Sequence, residues 1–480
     1  MSIHYQRNLG NIFGLDALPF MTIPIPPNFQ LAFYVALGLS LALPLLLLNI
    51  KVAPRLGWVD WPKARGLSEQ QVPIVGMSLV VGSLFYLGLL AAYGKVSGFL
   101  VASTLIIALM GFLDDRFTRT PLDKLLIQVF CVVCVVLFDP PLQKSISEMY
   151  GPWGTFAAIF FILGLMNAVN FIDGIDGLAG LVLLLGSAGL YFLCNRNSDL
   201  QPLAIYAGLL IGMLLPFLYF NVLQRKGFLG NVGSYTLSYL LAVFYLSVPL
   251  PAGNILTRLA LPGLCFLVPI ADAAMVLVYR LGTRRSPFQA DKGHLHHRLM
   301  QSSLPLRYIL LVMGLIEVFG ISIAVVMAAP ENLSASAWLA PLICFTQIIS
   351  VGMLIVLVEK TSKKRVQGYF AHLDEGKTVY YLKYKLTDPK GNSLPAHVLK
   401  GLEARINTEI RVTDLCFIQA PDTLFVTLRN LTEPFKGFSA RLDRIFDQER
   451  IHHALSIEQG EFIKLSDSVR TQKQTRIVNN

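Results

Sequence analysis

The chain has 480 residues, of which 54% are hydrophobic and only 15% are charged. Soluble domains usually carry about 25% charged residues, so this composition excludes an ordinary soluble protein. The net charge of +10 does not indicate nucleic acid as a partner, because the basic residues gather in alternate loops between apolar segments.

Apolar segments recur along the first 358 residues. About 20 apolar residues span the hydrocarbon core of a bilayer, so we expect an all-α polytopic membrane domain over residues 29–358. Residues 1–28 would form an extracytoplasmic segment that does not resemble a removable signal peptide. The eleven predicted spans are 29–50, 73–93, 98–113, 122–138, 152–169, 178–194, 202–222, 234–250, 258–279, 305–329 and 337–358.

The basic residues predict how these spans are oriented. Lysine and arginine are enriched in the cytoplasmic loops of membrane proteins. The pattern therefore places the N-terminus outside and the C-terminus in the cytoplasm. The positively charged loops contain Lys51, Arg55, Lys63, Arg65, Arg116, Arg119, Lys124, Arg225, Lys226, Arg280, Arg284, Arg285, Lys292 and Arg298.

Three groups of polar residues lie at the predicted cytoplasmic ends of spans. Ionisable side chains near the hydrocarbon are costly and mark functional sites. Because these spans are distant in sequence, their shared side predicts one site at the cytoplasmic face. The groups are Asp114 with Asp115; Asn167, Asn170, Asp173 and Asp176 at intervals of three; and His294, His296 and His297.

This combination of side chains favours phosphoryl transfer. Carboxylate and amide oxygens form typical magnesium sites together with substrate phosphates. Metals and cations stabilise the charge on phosphates during transfer. Three alternatives remain open: the aspartate pair could be solvated at the interface, the histidines could form a solvated loop or a zinc site, and the acids could line an ion path.

These residues resemble the motifs of the polyprenyl-phosphate N-acetylhexosamine-1-phosphate transferases, over roughly residues 29–329. The family's double aspartate corresponds to Asp114–Asp115, its NxxNxxDGxDGL motif to Asn167–Leu178, and its histidine motif to His294–His297. Arg284–Phe288 and Asp291 look like the WecA branch of the family rather than the MraY branch.

The resemblance implies a UDP-N-acetylhexosamine donor, UDP-GlcNAc by preference, and undecaprenyl phosphate as acceptor. It also implies Mg²⁺ (or Mn²⁺), release of UMP, initiation of a surface polysaccharide, and the bacterial inner membrane; a homodimer is compatible with it. The implied catalytic residues are Asp114, Asp115, Asp173 and Asp176, and the implied metal ligands are Asp114, Asp115, Asp173 and Asn231. The implied substrate contacts are Asp60, Arg65, Asn167, Asn170, Arg285, His294, His296 and His297.

Two departures from the family pattern matter. The FxGDxGS loop is Phe228–Ser234 here, with Asn231 in place of the aspartate. An amide oxygen can bind magnesium but brings no negative charge, so metal affinity should fall. In the first loop, Arg-Lys-x-His becomes Arg65–Ser68. A catalytically impaired member that acts as a lipid-binding or regulatory membrane protein is therefore the alternative function.

Residues 359–480 are predicted to form a separate cytoplasmic α+β domain, since hydrophobicity falls sharply after Val358. Leu399–Leu428 resembles a degenerate GGDEF domain in which Ala420–Leu424 replaces the glycine-containing turn, which implies a regulatory or oligomeric role. An unrelated α+β appendage is the alternative. The expected strands are Val379–Leu386, Leu415–Gln419 and Leu424–Leu428, and the expected helices are His397–Ile410 and Phe438–Phe446.

Overall fold

The computed structural model divides the chain into two compact units, a helical one that ends at Met353 and a second one that holds the strands beyond residue 377. The residues that the structure describes are 26–60, 72–117, 120–150, 153–195, 197–248, 255–282, 306–328, 339–353, 378–387, 402, 415–419, 423–427, 452–463 and 476–478.

The helical unit consists of helices and one short hairpin. The hairpin pairs β1 (Val59–Asp60) with β2 (Val72–Pro73) in antiparallel register. The helices are α1 (Pro27–Val52), α2 (Gly76–Ala92), α3 (Gly98–Arg116), α4 (Pro121–Phe138), α5 (Pro140–Tyr150), α6 (Gly154–Ile172), α7 (Leu178–Cys194), α8 (Gln201–Leu218), α9 (Gly230–Ser247), α10 (Ile255–Leu264), α11 (Leu267–Gly282), α12 (Leu306–Met327) and α13 (Leu339–Met353).

The described helices have the length and composition of a multi-pass membrane protein. Five stretches are long and apolar enough to cross a bilayer, and α2, α7 and α13 are shorter apolar helices. Ten of the predicted spans each overlap one helix and 258–279 overlaps two, although the count of eleven membrane crossings stays a prediction. The five stretches are Asn28–Leu56, Gly98–Arg116, Gly154–Ile172, Gln201–Leu223 and Leu306–Met327.

Two helices differ from the sequence-based expectation. The predicted span 258–279 is not one continuous helix, because α10 and α11 are bent by 104° at a short break. Pro262 lies in the last turn before the break, and the Cys265 amide donates to its carbonyl at 3.1 Å in a turn. The amphipathic helix α5 was not predicted, since its eleven residues are too few and too polar to resemble a span.

Helix α9 forms the centre of the helical unit. Nearly all of its residues are buried, and it packs against α2, α3, α5, α6 and α7. The approach to α3 is very close: a side chain at Gly111 would place its Cβ 2.7 Å from the Cα of Val232. Glycine at this crossing therefore brings the end of α3 against the start of α9.

The loop before α9 is hydrogen-bonded to the first hairpin. Phe228 donates its amide to the Pro73 carbonyl at 2.9 Å and accepts the Val75 amide at 2.8 Å. These bonds join two segments that are far apart in sequence. They hold the start of α9 in a fixed position at this end of the bundle.

The described part of the second unit is a five-stranded antiparallel sheet. Its strands are β3 (Thr378–Thr387), β4 (Leu415–Gln419), β5 (Thr423–Thr427), β6 (His452–Ile463) and β7 (Arg476–Val478), in the order β4-β5-β3-β6-β7. The three predicted strands coincide with β3, β4 and β5, whereas β6 and β7 were not predicted. The two predicted helices, apart from Leu402, and the turn at Ala420 lie outside the described residues. The α+β class and the GGDEF likeness therefore remain predictions.

Candidate active site

Asp115 caps the N-terminus of α9 from the end of α3. Its two carboxylate oxygens accept the backbone amides of Asn231 at 2.8 Å and Val232 at 3.0 Å. The first amides of a helix have no partner within the helix, and the helix dipole favours a negative charge there. Asp115 thus supplies from another helix what an N-cap residue normally supplies locally.

Gly230 makes this contact sterically feasible. Its φ is +73°, in the left-handed region that favours glycine. A Cβ at this position would lie only 2.8 Å from a carboxylate oxygen of Asp115. The glycine therefore permits both the chain reversal into α9 and the close approach of the carboxylate.

Asn231 connects three helices through its carboxamide. Its Nδ2 donates to Asp114 Oδ2 at 2.8 Å, and its Oδ1 accepts from Asn170 Nδ2 at 2.7 Å. The Asn170 amide also donates to Ser234 Oγ at 2.9 Å. The structure therefore brings together the double aspartate, the Asn/Asp motif and the glycine-rich loop. We call Asp114, Asp115, Asn170, Asn231 and Lys124, described next, the polar cluster.

Lys124 adds a cation to the polar cluster. Its Nζ lies 2.7 Å from Asp114 Oδ2, and its side chain is 26% exposed whereas that of Asp114 is 1% exposed. Lys124 lies in the first turn of α4, which Thr120 caps by accepting the Asp123 amide at 3.2 Å. The sequence predicted Lys124 only as a basic loop residue and not as part of the site. Its position at the start of the helix that follows the double aspartate could have indicated this role.

A second polar layer lies one helical turn from the cluster. Asn167 Nδ2 donates to Gln128 Oε1 at 2.9 Å and to the Leu163 carbonyl at 2.8 Å. Gln128 is completely buried, and within the described residues its Nε2 has no hydrogen-bond partner. Asn167, a predicted substrate contact, here joins α6 to α4. Gln128 was not predicted as part of the site.

Asp173 and Asp176 follow Asn170 in a turn that Asn221 holds in place. Asp173 ends α6 and is buried. Further along the turn, the Gly177 amide donates to Asn221 Oδ1 at 2.5 Å, and Asn221 Nδ2 donates to the Gly227 carbonyl at 2.7 Å. Asn221 lies in a π-helical turn, a feature that is frequent at functional sites. It ties the turn with the two acids to the loop that leads into α9, and the sequence offered no signal for it.

Several predicted site residues lie outside the described part of the chain. Asp60 belongs to β1, opposite Val72, and its side chain is not among those described. Its strand belongs to the hairpin that is bonded to the loop before α9. The predicted contacts outside the described residues are Arg65, Arg285, His294, His296 and His297.

The polar cluster contains the kinds of oxygen atom that magnesium prefers. Within the described ranges, no group of three or more His, Cys, Asp or Glu residues is arranged to hold a metal. Magnesium needs fewer protein ligands, since it usually binds one or two carboxylates together with waters and substrate phosphates. Asp114, Asp115 and the Asn231 amide oxygen offer such a set on adjacent helix ends.

The fold and the polar cluster define a multi-pass membrane protein with a cluster of polar and charged side chains at one end of its helices. The ends of α3 and α6 meet the beginnings of α4 and α9, so all the cluster residues lie at the same end of the bundle. Residues 97–248, which contain the whole cluster, match the family model of glycosyl transferase family 4.

Similar proteins agree with this match. The probable undecaprenyl-phosphate N-acetylglucosaminyl 1-phosphate transferase of Bacillus subtilis (strain 168) is 28% identical over 65% of this chain and 88% of its own length. The undecaprenyl-phosphate alpha-N-acetylglucosaminyl 1-phosphate transferase of Escherichia coli (strain K12) is 27% identical over 54% and 73%, respectively. A Yersinia pestis protein of the same name is 23% identical over 66% and 91%. The chain is therefore similar to undecaprenyl-phosphate N-acetylglucosaminyl 1-phosphate transferases over 54–66% of its length.

Proposed function

We propose that the protein transfers GlcNAc-1-phosphate from UDP-GlcNAc to undecaprenyl phosphate, releases UMP and thereby starts a surface polysaccharide. The observation that carries this proposal is the polar cluster, in which Asp114, Asn231 and Lys124 are in direct contact at one end of the bundle. The names of the similar proteins support the transferred GlcNAc-1-phosphate group and the acceptor.

The reaction exchanges one diphosphate bond for another. A phosphate oxygen of the lipid attacks the sugar-bearing phosphorus of the donor and forms a new P–O–P linkage. The bond from that phosphorus to the oxygen of UMP breaks, and its electron pair leaves with UMP. Catalysis of such transfers depends mainly on positioning and on stabilising the charge of the phosphates.

The residues of the cluster suit these two tasks. Both oxygens of Asp115 are held by backbone amides, so this carboxylate is fixed and can align the reacting phosphates. Lys124 is partly exposed, so its ammonium group can contact a phosphate while it stays beside Asp114. A Mg²⁺ ion held by Asp114, Asp115 and Asn231 would neutralise charge on the phosphates. Asp173 and Asp176, in the adjoining turn, would bind the donor.

The proposal includes a membrane topology. Residues 29–358 would form eleven spans in the bacterial inner membrane, with residues 1–28 outside and residues 359–480 in the cytoplasm. The positive charges near Arg116 and Lys124 support a cytoplasmic position for the polar cluster. Fusions of a reporter enzyme after residue 28 and after residue 358 test this orientation. A reporter after residue 358 that lies on the extracytoplasmic side would contradict it.

A catalytically impaired lipid-binding protein is the second candidate function. Asn231 favours it, because its amide donates to Asp114 where the family motif has a carboxylate. A neutral amide would bind magnesium more weakly than a carboxylate would. Under this alternative the protein binds undecaprenyl phosphate without releasing UMP.

Release of UMP distinguishes the two functions. Purified protein in lipid nanodiscs with Mg²⁺, undecaprenyl phosphate and UDP-GlcNAc should release UMP, and Asp173→Asn should abolish the release. Asp199→Asn is the matched control, since Asp199 is exposed and lies away from the cluster. UDP-GalNAc in parallel reports the preferred sugar. If no UMP forms while the E. coli relative turns over, the transferase proposal is wrong.

A further inference from the structure

Glu317 is a carboxylic acid that is completely buried within the apolar helix α12. An acidic side chain in a membrane span is costly and is retained where it has a role. The polar cluster does not account for it, because its hydrogen bonds go to the start of α11, which carries no residue of the cluster. Its contacts therefore indicate a separate task.

Glu317 caps the N-terminus of α11. Its Oε2 accepts the Val268 amide at 2.9 Å, and the Leu267 amide bonds to the same carboxyl group. Among the described residues its other oxygen has no hydrogen-bond partner, so no further network explains the side chain. The first amides of a helix lack intrahelical partners, and within a bilayer no water is available to satisfy them.

The cap lies at the 104° bend between α10 and α11. We call Leu264–Val268 the elbow. Gly320, one turn after Glu317, lets α12 approach the elbow, because a Cβ there would lie 2.3 Å from the Leu264 carbonyl oxygen. On the other side, the Phe266 ring packs edge-on against Tyr245, with 5.3 Å between the ring centroids. The elbow is thus held from two sides by close-fitting contacts.

Helix α11 is linked to the predicted site in two ways. Helix α11 packs against α6, which carries Asn167 and Asn170. It also ends at Gly282, and Arg285 follows three residues later in the sequence. A change of a few degrees at the elbow would be amplified along the length of α11.

We propose that Glu317 is a positioning residue: its carboxyl group fixes the elbow, and the elbow in turn sets the position of α11 relative to α6 and the donor-binding residues. This role rests on the proposed transferase function. Glutamine at this position should still cap α11, because its side chain has the same length and keeps an acceptor oxygen. Aspartate should fail although it keeps the carboxyl group, because it is shorter by one methylene group.

The experiment compares wild type, Glu317→Gln, Glu317→Asp and Glu317→Leu in nanodiscs by hydrogen–deuterium exchange of peptides that cover residues 264–270. We expect exchange to rise at least about tenfold in the Asp and Leu variants, because the cap is lost, and to stay within about threefold in the Gln variant. Ser322→Leu is the matched control on the exposed face of α12. If the Leu variant does not fold, the contrast between Asp and Gln remains decisive.

Kinetics of UMP release complete the test. We expect the KM for UDP-GlcNAc to rise at least about fivefold in Glu317→Asp and to be restored in Glu317→Gln. Unchanged exchange at the elbow in the Asp and Leu variants, or a uniform rise over all helices, would overturn the positioning role. A looser elbow with an unchanged KM would also overturn it while leaving the proposed function intact. Because exchange needs no substrate, it tests the elbow even if wild type released no UMP.

Discussion

Two helices of this protein begin in the same way at different places in the bundle. Asp115 from α3 accepts the first amides of α9, and Glu317 from α12 accepts the first amides of α11. In both cases a carboxylate from a neighbouring helix satisfies backbone groups that a bilayer leaves unpaired. The device itself is therefore structural and implies no catalysis.

The surroundings of the two carboxylates differ. Asp115 lies beside Asp114, Asn231 and the Lys124 cation, and it is partly exposed. Glu317 is buried, and one of its oxygens has no hydrogen-bond partner among the described residues. The comparison teaches that a capping carboxylate becomes a candidate catalytic group only where further polar side chains adjoin it and solvent can reach it.

The largest expected effect comes from replacing the carboxyl group by a carboxamide at each of the two caps, since the rate of UMP release should respond differently. Asp115→Asn should lower the rate of UMP release at least about 10³-fold, because it removes charge where the phosphates react. Glu317→Gln should keep the rate within about threefold, because only a hydrogen-bond acceptor is needed there. Steady-state UMP release measures both variants. Equal losses in the two would mean that the distinction between them is wrong.

Lys124→Met should have the next largest effect. Loss of the cation beside Asp114 should lower kcat/KM about 10²-fold, with a rise in the KM for undecaprenyl phosphate. Lys95→Met, an exposed lysine in the loop between α2 and α3, is the control and should leave both constants unchanged. If Lys124→Met released UMP at the wild-type rate, the role of this lysine would be only its ion pair with Asp114.

Gly230→Ala tests the geometry of the Asp115 cap. The residue has a φ of +73°, and its Cβ would approach Asp115 within 2.8 Å. The substitution should destabilise the protein by about 1–3 kcal/mol and lower activity with it. Gly88→Ala, in open space on α2, should be neutral or stabilising. Thermal unfolding in nanodiscs measures both changes, and equal midpoints would contradict the strain at Gly230.

Asn231→Asp should have the smallest but most informative effect. Without metal, a carboxylate at the 2.8 Å contact with Asp114 should lower the unfolding temperature by charge repulsion. With Mg²⁺, the variant should gain more thermal stability than wild type does, and the Mg²⁺ concentration for half-maximal rate should fall about 3–10-fold. An unchanged response to Mg²⁺ would remove position 231 from the metal site.

The convergence of the site could be predicted from sequence because charge and hydropathy patterns assign each loop to a side of the membrane. Asp114 and Asn170 were singled out in this way and Asn231 by the family resemblance, and the structure joins them by hydrogen bonds. Lys124, Gln128 and Asn221 were not, because one-dimensional patterns do not show which helices are neighbours. The histidine part of the predicted site, which includes His296, remains a prediction.

The sequence by itself determined that this is a multi-pass helical protein and which family it resembles, because apolar length and clustered polar motifs are local properties of the chain. Only the tertiary structure decided that Asp115 caps α9, that Lys124 pairs with Asp114, and that the predicted ninth span bends sharply beside Glu317. These features depend on contacts between helices far apart in sequence, and such contacts follow from packing and backbone hydrogen bonding rather than from local pattern.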